Sequence, residues 1–290
     1  MARFDFSSCS KSGITYSGSE RKCGIVFCNA NWMIKYRKKN YNGELTNDIS
    51  EYLGSKIFSL LGFEAQQVLL GTYENEFVVA CKDFMSGINF TPFDDVGESS
   101  LEIDKSDSSY TYDNIQSLIL QNNKIVDKKE AIELFWNVYI VDCLIANDDR
   151  HGKNWGYLKK NNQYFPAPIF DNGNSLFSNF NDENELSYAI SHDDELKDRV
   201  YRRPRSVVKN TRGSNDYYSV ISSKEYEECN AALIRMTPTI EQNMQKIMDL
   251  IDSVDLSKNK KEFLKKIIKL RFELIISKTY EEVLQNEKKK

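Results

Sequence analysis

Histidine is nearly missing from this chain, with two residues in 290, His151 and His192. That scarcity removes whole classes of chemistry. A zinc site needs Cys or His ligands in spaced pairs, and although Cys23 and Cys28 stand close together, no second pair follows at ligand spacing. A hydrolase triad lacks its base, because His192 sits in an acidic tract with no nucleophile elbow nearby. Cysteine is sparse and scattered (Cys9, Cys23, Cys28, Cys81, Cys143, Cys229), the chain is too long to need stapling, and no charged-then-apolar segment opens it. These features point to folding in a reducing, cytoplasmic compartment; export without a leader would leave no mark in the sequence. Long apolar runs are absent too. Ile132 to Ala146 is broken by Glu133, Asn137 and Asp142 and is too short to span a bilayer, so no stable membrane association is expected. Positive charge is not in excess: 39 Lys and Arg face 43 Asp and Glu, a net charge of −4 that argues against a generic nucleic-acid binder.

What the chain does hold is a polar constellation between Asn147 and Gly173. Asn147-Asp148-Asp149-Arg150-His151 follows directly on an apolar helical stretch, so its charged groups emerge where the chain leaves a packed element. Asp149 and Asn154 are five residues apart with Gly152 between them, a spacing that lets a loop fold back and aim a carboxylate and an amide oxygen at one small volume. Asp171 adds a second carboxylate after the strand-like Tyr164 to Phe170. One carboxylate to accept a hydroxyl proton, with a carboxylate and an amide for Mg²⁺, is the inventory phosphoryl transfer asks for, since magnesium fills its remaining positions with water and phosphate oxygens. Asp, Asn and Gly are also ordinary turn residues; the two segments occurring together, in order and after a helix, favour the functional reading.

Asp149-Arg150-His151-x-x-Asn154 followed by Asp171-x-Gly173 resembles the catalytic and metal-binding segments of the HipA-like serine/threonine kinases, in particular their short stand-alone CtkA-type members. The resemblance implies ATP and Mg²⁺ as cofactors, a protein substrate with a Ser or Thr hydroxyl, Asp149 as catalytic base, and Asn154 and Asp171 as metal ligands. It also implies an α+β, bilobal protein-kinase-like fold, with a small β-rich N-lobe over residues 1–84 and a larger, mostly helical C-lobe over 85–290. The same Asp-Arg-His-x-x-Asn occurs in phosphatidylinositol kinases, so a lipid kinase is one alternative and an ATP-binding pseudokinase another. The acidic balance offers the first no obvious membrane-facing surface, and the intact set of Lys35, Asp149, Asn154 and Asp171 argues against the second. The extra N-terminal domain of longer HipA toxins has no room here, so toxin–antitoxin pairing and operator binding do not carry over.

Taken in order, residues 1 to 12 are polar and serine-rich and read as a loose arm. Ile14 to Tyr16, Gly24 to Cys28, Trp32 to Tyr36, Gln67 to Gly71 and Phe77 to Cys81 read as strands. Small residues between the first two, including Gly18 and Ser19, would let backbone amides approach a phosphate, and would equally make a plain hairpin turn. In the third strand Lys35 is flanked by apolar neighbours and wants a fixed anion; kinases put such a lysine against the nucleotide's phosphates, whereas an edge strand would simply let it snorkel. The apolar period of Leu45 to Leu61 predicts a helix capped by Asn47 or Asp48 and ended by Gly62, and Glu51 in its first turns matches the family's helix glutamate, the candidate partner of Lys35. Lys82, Asp83 and Phe84 resemble the hinge whose backbone holds adenine, without the glutamate often seen there in longer members. His151 is a minor catalytic candidate that orients the loop or touches a phosphate.

Asp94 to Asn114 turns polar and reads as a surface insertion. Lys128 to Ala146 is the helix feeding the catalytic loop, with Ala131, Leu134, Phe135, Val138, Val141 and Ile145 as its core stripe. A basic run (Arg202, Arg203, Arg205, Lys209, Arg212) follows an acidic one; it could hold a phosphorylated residue or an acidic substrate peptide, or be a solvated face. A helix is predicted to start at Met236 to Thr239, and Asn259 to Leu284 is amphipathic with lysines opposite the apolar face. Ser17 and Ser19, with the serines at Ser106 to Ser109, suggest autophosphorylation.

Overall fold

The computed structural model describes residues 3–16, 20–41, 43–85, 89–98 and 110–289. Its first part is a five-stranded sheet and one helix. The strands are β1 (Phe4–Asp5), β2 (Lys22–Phe27), β3 (Ala30–Tyr36), the short pair β4 (Lys39–Asn40) and β5 (Gly43–Glu44), β6 (Val68–Tyr73) and β7 (Glu76–Lys82), with helix α1 (Asn47–Leu60) between β5 and β6. The main sheet runs β1-β6-β7-β3-β2, antiparallel except for the β1–β6 pair. Two-residue turns close the β2–β3 and β6–β7 hairpins, and Cys28, Asn29, Glu74 and Asn75 all take positive φ, as right-twisted hairpins require.

The alternation of a strand sorts β3 between two cores. Trp32, Ile34 and Tyr36 join Phe6, Ile25, Tyr73, Val78 and Ala80 on one face, while Met33 packs into the larger core on the other. Lys35 shares the face of Met33, the one covered by α1, so a two-residue period delivers its ammonium to that helix.

Two expectations for this part fail. The fifth strand is Phe4–Asp5 and not Ile14 to Tyr16, and the N-terminal arm is packed, with Phe6 fully buried. Phe6 fits because residue 71 is glycine: a Cβ there would lie 2.3 Å from the Phe6 ring and 2.4 Å from the Phe4 carbonyl. The α1 cap also differs. Thr46 is the cap residue and makes no side-chain bond to the helix, its hydroxyl donating to the Ser178 carbonyl at 3.2 Å, while Asp48 is taken by Arg37 at 2.9 Å and Asn47 by the Lys38 N–H at 2.8 Å.

The second part holds β8 (Asn89–Pro92), α2 (Phe93–Glu98), β9 (Tyr110–Thr111), α3 (Tyr112–Gln121), α4 (Lys128–Ile145), β10 (Gly156–Lys160), β11 (Gln163–Pro166), α5 (Glu183–Ser191), α6 (Asp193–Arg202), β12 (Val208–Lys209), α7 (Tyr217–Ser223), α8 (Glu227–Ser253), α9 (Lys258–Arg271) and α10 (Lys278–Glu287). A π-helical turn, Phe272–Ser277, joins the last two. Helices dominate and pack around α4, most of whose length is buried. The ends of the expected Asp94 to Asn114 insertion are core instead: Val96 and Tyr112 are buried. Helix α8 begins well before the predicted start and runs through Pro238. An interior proline costs about 3 kcal/mol; burial of Leu233, Met236 and Ile240 along the same helix offsets it. The basic side of α9 is not uniformly solvated, for Lys260 and Arg271 are both buried. No helix among the described residues is long and apolar enough to cross a membrane.

Candidate active site

The strand lysine finds two anions. Lys35 Nζ lies 2.8 Å from Glu51 Oε2 on α1 and 2.8 Å from Asp171 Oδ1, which arrives from the loop after β11. Glu51 Oε1 accepts the Asn172 N–H at 3.0 Å, so one carboxylate holds both the lysine and the loop. Asp171 sits at φ +57°, a left-handed turn that directs its side chain back to the sheet. Burial alone would pull the Lys35 ammonium down, but Asp171 and Glu51 hold it well above its ordinary value. Burial likewise works against the Asp171 carboxylate, and Lys35, followed by Arg150 and Lys22, keeps it below the usual range. Both groups are therefore charged at neutral pH. Helix α1 can come this close because Gly54 has no side chain: a Cβ would stand 2.5 Å from that of Asn172.

The loop after α4 is fixed from below. Ala146 ends the helix in a left-handed cap. Arg150 then turns inward, pairs with both oxygens of buried Asp142 at 2.9 and 3.0 Å, donates to the carbonyls of Asn154 at 3.2 Å and Phe170 at 2.6 Å, and reaches Asn172 Oδ1 at 2.7 Å. One guanidinium thus ties the helix, the loop after it and the segment carrying Asp171 together. Asn147 adds a second tie, donating to Asp142 at 2.8 Å and accepting the Asp149 N–H at 3.1 Å, while the Tyr217 hydroxyl donates to its carbonyl at 2.5 Å.

Asp149 itself is half-buried. Its Oδ2 accepts from Asn174 Nδ2 at 2.5 Å and its Oδ1 lies 3.4 Å from His151 Nε2. The Lys153 N–H on Nδ1 leaves the His151 ring proton on Nε2, facing Asp149, so this histidine touches the carboxylate. Asn154 donates its amide N–H to the Asp149 carbonyl at 2.8 Å, which leaves its Oδ1 as the end that can accept a bond or meet a cation. Among the described residues no group of three or more His, Cys, Asp or Glu could hold a metal. One carboxylate and one amide instead suit a magnesium ion that completes its octahedron with phosphate and water. Desolvation of its carboxyl by the surrounding chain and the charge of Asp149 push Asp148 up to about 6, although the residue as a whole is exposed.

Lys82, Asp83 and Phe84 leave β7 between the two parts. The Asp83 N–H donates to Asn31 at 2.9 Å, its carboxylate accepts the Tyr16 hydroxyl at 3.2 Å, and the Lys82 carbonyl takes Gln66 Nε2 at 2.9 Å. Phe84 packs on Phe170, the residue before Asp171, at 5.5 Å between ring centres. Gly18 and Ser19 lie outside the described residues, as do Ser17 and Ser106 to Ser109.

The structure therefore brings Lys35, Glu51 and Asp171 into one contact and Asp149, His151 and Asn154 into a second, joined through Arg150. Sequence reasoning did not assign Arg150, Asp142, Asn147, Asn172 or Asn174. Asp142 carried a usable signal, since an acid inside an apolar helical run must find a partner.

The HipA-like C-terminal domain family matches residues 14–255. The serine/threonine-protein kinase CtkA of Helicobacter pylori (strain J99) is 32% identical over 289 residues, covering 95% of this chain and 87% of that one. The crystal structure of a Helicobacter pylori proinflammatory kinase CtkA superposes with a TM-score of 0.88 at 29% identity, over 99% of this chain and 100% of the other. A HipA from a Shewanella oneidensis MR-1 complex with HipB and operator DNA shares the fold at 12% identity, with a TM-score of 0.62 over 94% of this chain and 67% of that one.

Proposed function

The chain belongs to the HipA-like C-terminal domain family as a serine/threonine protein kinase, and we propose that it uses ATP and Mg²⁺ through the residues gathered around Lys35 and Asp149. The observation that carries this reading is Lys35 Nζ at 2.8 Å from both Glu51 and Asp171, in a frame that Arg150 connects to Asp149. Residues 1–84 form the nucleotide-holding lobe and 85–290 the lobe that carries the catalytic loop.

When bound, Mg²⁺-ATP supplies the phosphoryl group and the charge neutralisation that lets it move. Lys35, oriented by Glu51, offers its ammonium to the phosphate oxygens. Asp171 and the Oδ1 of Asn154 offer the two protein oxygens for the metal. The backbone of Lys82 to Phe84 holds adenine, and the Gly18–Ser19 segment covers the phosphates. Asp149, steadied by Asn174, orients the acceptor hydroxyl and takes its proton while the new phosphorus–oxygen bond forms and the bond to ADP breaks. A positioned base of this kind is worth about 10² to 10⁴ in rate. His151 steadies the same carboxylate from the other side.

We also expect the chain to phosphorylate itself at serine, with Ser17, Ser19 and the serines at Ser106 to Ser109 as candidates, and to act in the cytoplasm. Incubation with Mg²⁺-ATP followed by peptide mapping checks this: phosphoserine in the wild type that is lost in Asp149→Asn supports it, and labelling that survives the substitution counts against it.

A further inference from the structure

A cleft of about 1030 Å³ is lined by Asp148 and Asp149 from the loop after α4 and by Arg202, Arg203 and Arg205 from the end of α6 and beyond. Neither Lys35, Asn154 nor Asp171 is among the described residues on its walls, so it reaches the catalytic carboxylate without passing the groups that face the nucleotide. Its volume corresponds to about 10 Å on edge, the span of about three extended residues.

The arginine segment is a built structure. Arg271, fully buried, donates to the carbonyls of Arg199 at 3.2 Å, Val200 at 3.0 Å and Arg203 at 2.9 Å at the end of α6, and also to that of Cys143 on α4. Just beyond, buried Ser206 donates its N–H to Asn215 at 2.7 Å and its Oγ accepts the Tyr139 hydroxyl, from α4 again, at 3.1 Å. The segment with the three arginines is therefore clamped on both sides to the helix that leads into Asp149. Its charge is not neutralised locally. Asp198 serves both Arg202 at 3.6 Å and Arg203 at 3.2 Å, and Arg205 is exposed with no ion pair among the described residues. Arg199 is already used by Glu195 at 2.8 Å and stacks on Phe180. Arg202, Arg203 and Arg205 thus have one paired carboxylate among them, Asp198, while the cleft's other two, Asp148 and Asp149, belong to the loop after α4.

We propose that this cleft receives the acceptor segment of the protein substrate, and that Arg202, Arg203 and Arg205 select a segment with an anionic side chain, carboxylate or phosphate, close to the serine or threonine to be modified. The two charge groups set the register: Asp148 and Asp149 repel an anion and accept a neutral hydroxyl, while the arginines take the anion. This rests on the kinase reading above and goes beyond it by naming what the enzyme recognises.

The test is kcat/KM on serine peptides that differ only in flanking residues, acidic (Asp or phosphoserine), neutral or basic, for the wild type and for the Arg202→Gln, Arg203→Gln, Arg205→Gln triple variant. The wild type should prefer an acidic peptide by about tenfold, each exposed ion pair contributing a few-fold. The preference should reside in KM, shrink with added salt and vanish in the triple variant. Arg205→Glu alone should shift preference toward the basic peptide, a gain that misfolding would not produce. Equal use of all peptides by the wild type, or an acidic preference that survives the triple substitution, overturns the proposal while leaving the kinase reading intact. No Asp149-dependent labelling of any acceptor would instead sink the kinase reading. Labelling of phosphoinositide vesicles in preference to every peptide, lost in the triple variant, overturns the assignment of a protein segment.

Discussion

The two halves of this site are held in opposite ways. Around Lys35 the lysine and Glu51 side chains are sealed, 7% and 1% exposed, with Asp171 at the edge of the contact at 33%, whereas Asp149 and His151, on the half proposed to perform the chemistry, are 36% and 39% exposed with no buried ion pair among the described residues to hold them. The sealed half is fixed by charge pairs whose partners come from a strand, a helix and two loops; the open half hangs on Asn174, Asn147 and one long contact to His151. Stability and turnover should consequently separate by location. A buried ion pair broken on one side leaves an uncompensated charge, while an exposed carboxylate can be neutralised with little structural cost.

The sharpest test of that separation is Asp149→Asn. It keeps the shape and should reduce phosphoryl transfer about 10² to 10⁴-fold with an unchanged melting temperature; a variant that unfolds early would show that the open half also carries structure. Arg150→Met is the counterpart in the sealed half. It strands the charge of Asp142 and should cost about 3–5 kcal/mol in urea denaturation, and a loss below about 1 kcal/mol would remove Arg150 from the centre of the frame. Gly54→Ala pushes a methyl to within 2.5 Å of Asn172 and should cost about 1–3 kcal/mol, with weaker nucleotide binding because the segment next to Asp171 shifts with it.

The smallest effect expected is at Asp148, on the open side. A carboxyl raised to about 6 binds a proton in the folded chain at pH values where the unfolded chain has lost it. Its contribution therefore favours the fold at low pH and declines as pH rises from about 4 to about 6. Asp148 is exposed, so solvent screening keeps the change below about 1 kcal/mol. Asp148→Asn should remove that slope, which chemical denaturation at about pH 4.5 and about pH 6.5 would show.

How much of this was readable in the sequence depends on whether a contact leaves a local trace. Lys35 is legible because a lone lysine among apolar strand residues wants a fixed anion, and Glu51 because, on a helix the apolar period predicts, it matches the helix glutamate of the family the chain resembles. Asp149, Asn154 and Asp171 announced themselves through spacing. Arg150 did not, although it stands inside the same motif, because its five bonds go to residues whose positions only the tertiary fold decides. The same reason hid β1: Phe4 pairs with Gly71, and nothing within the serine-rich arm reports a parallel partner so far along the chain. Arg271 and Lys260 looked like two more solvated charges on a basic helix. They are buried because backbone carbonyls await them, those of α6 for Arg271 and those of Phe177 and Phe180, at 2.7 and 2.8 Å, for Lys260. Pro238 reads as the first turn of a helix, whereas burial on either side of it carries α8 through the proline from Glu227.

The account stands on Lys35, Asp149, Asn154 and Asp171 acting together on Mg²⁺-ATP. The measurement closest to that claim is intact-protein mass spectrometry of the chain, alone and with a serine-containing acceptor, after incubation with ATP with and without Mg²⁺, for the wild type beside Asp171→Asn. The account predicts added phosphate only in the wild type and only with the metal. Equal labelling of the two proteins, or no labelling of either the wild-type chain or the acceptor, would contradict it.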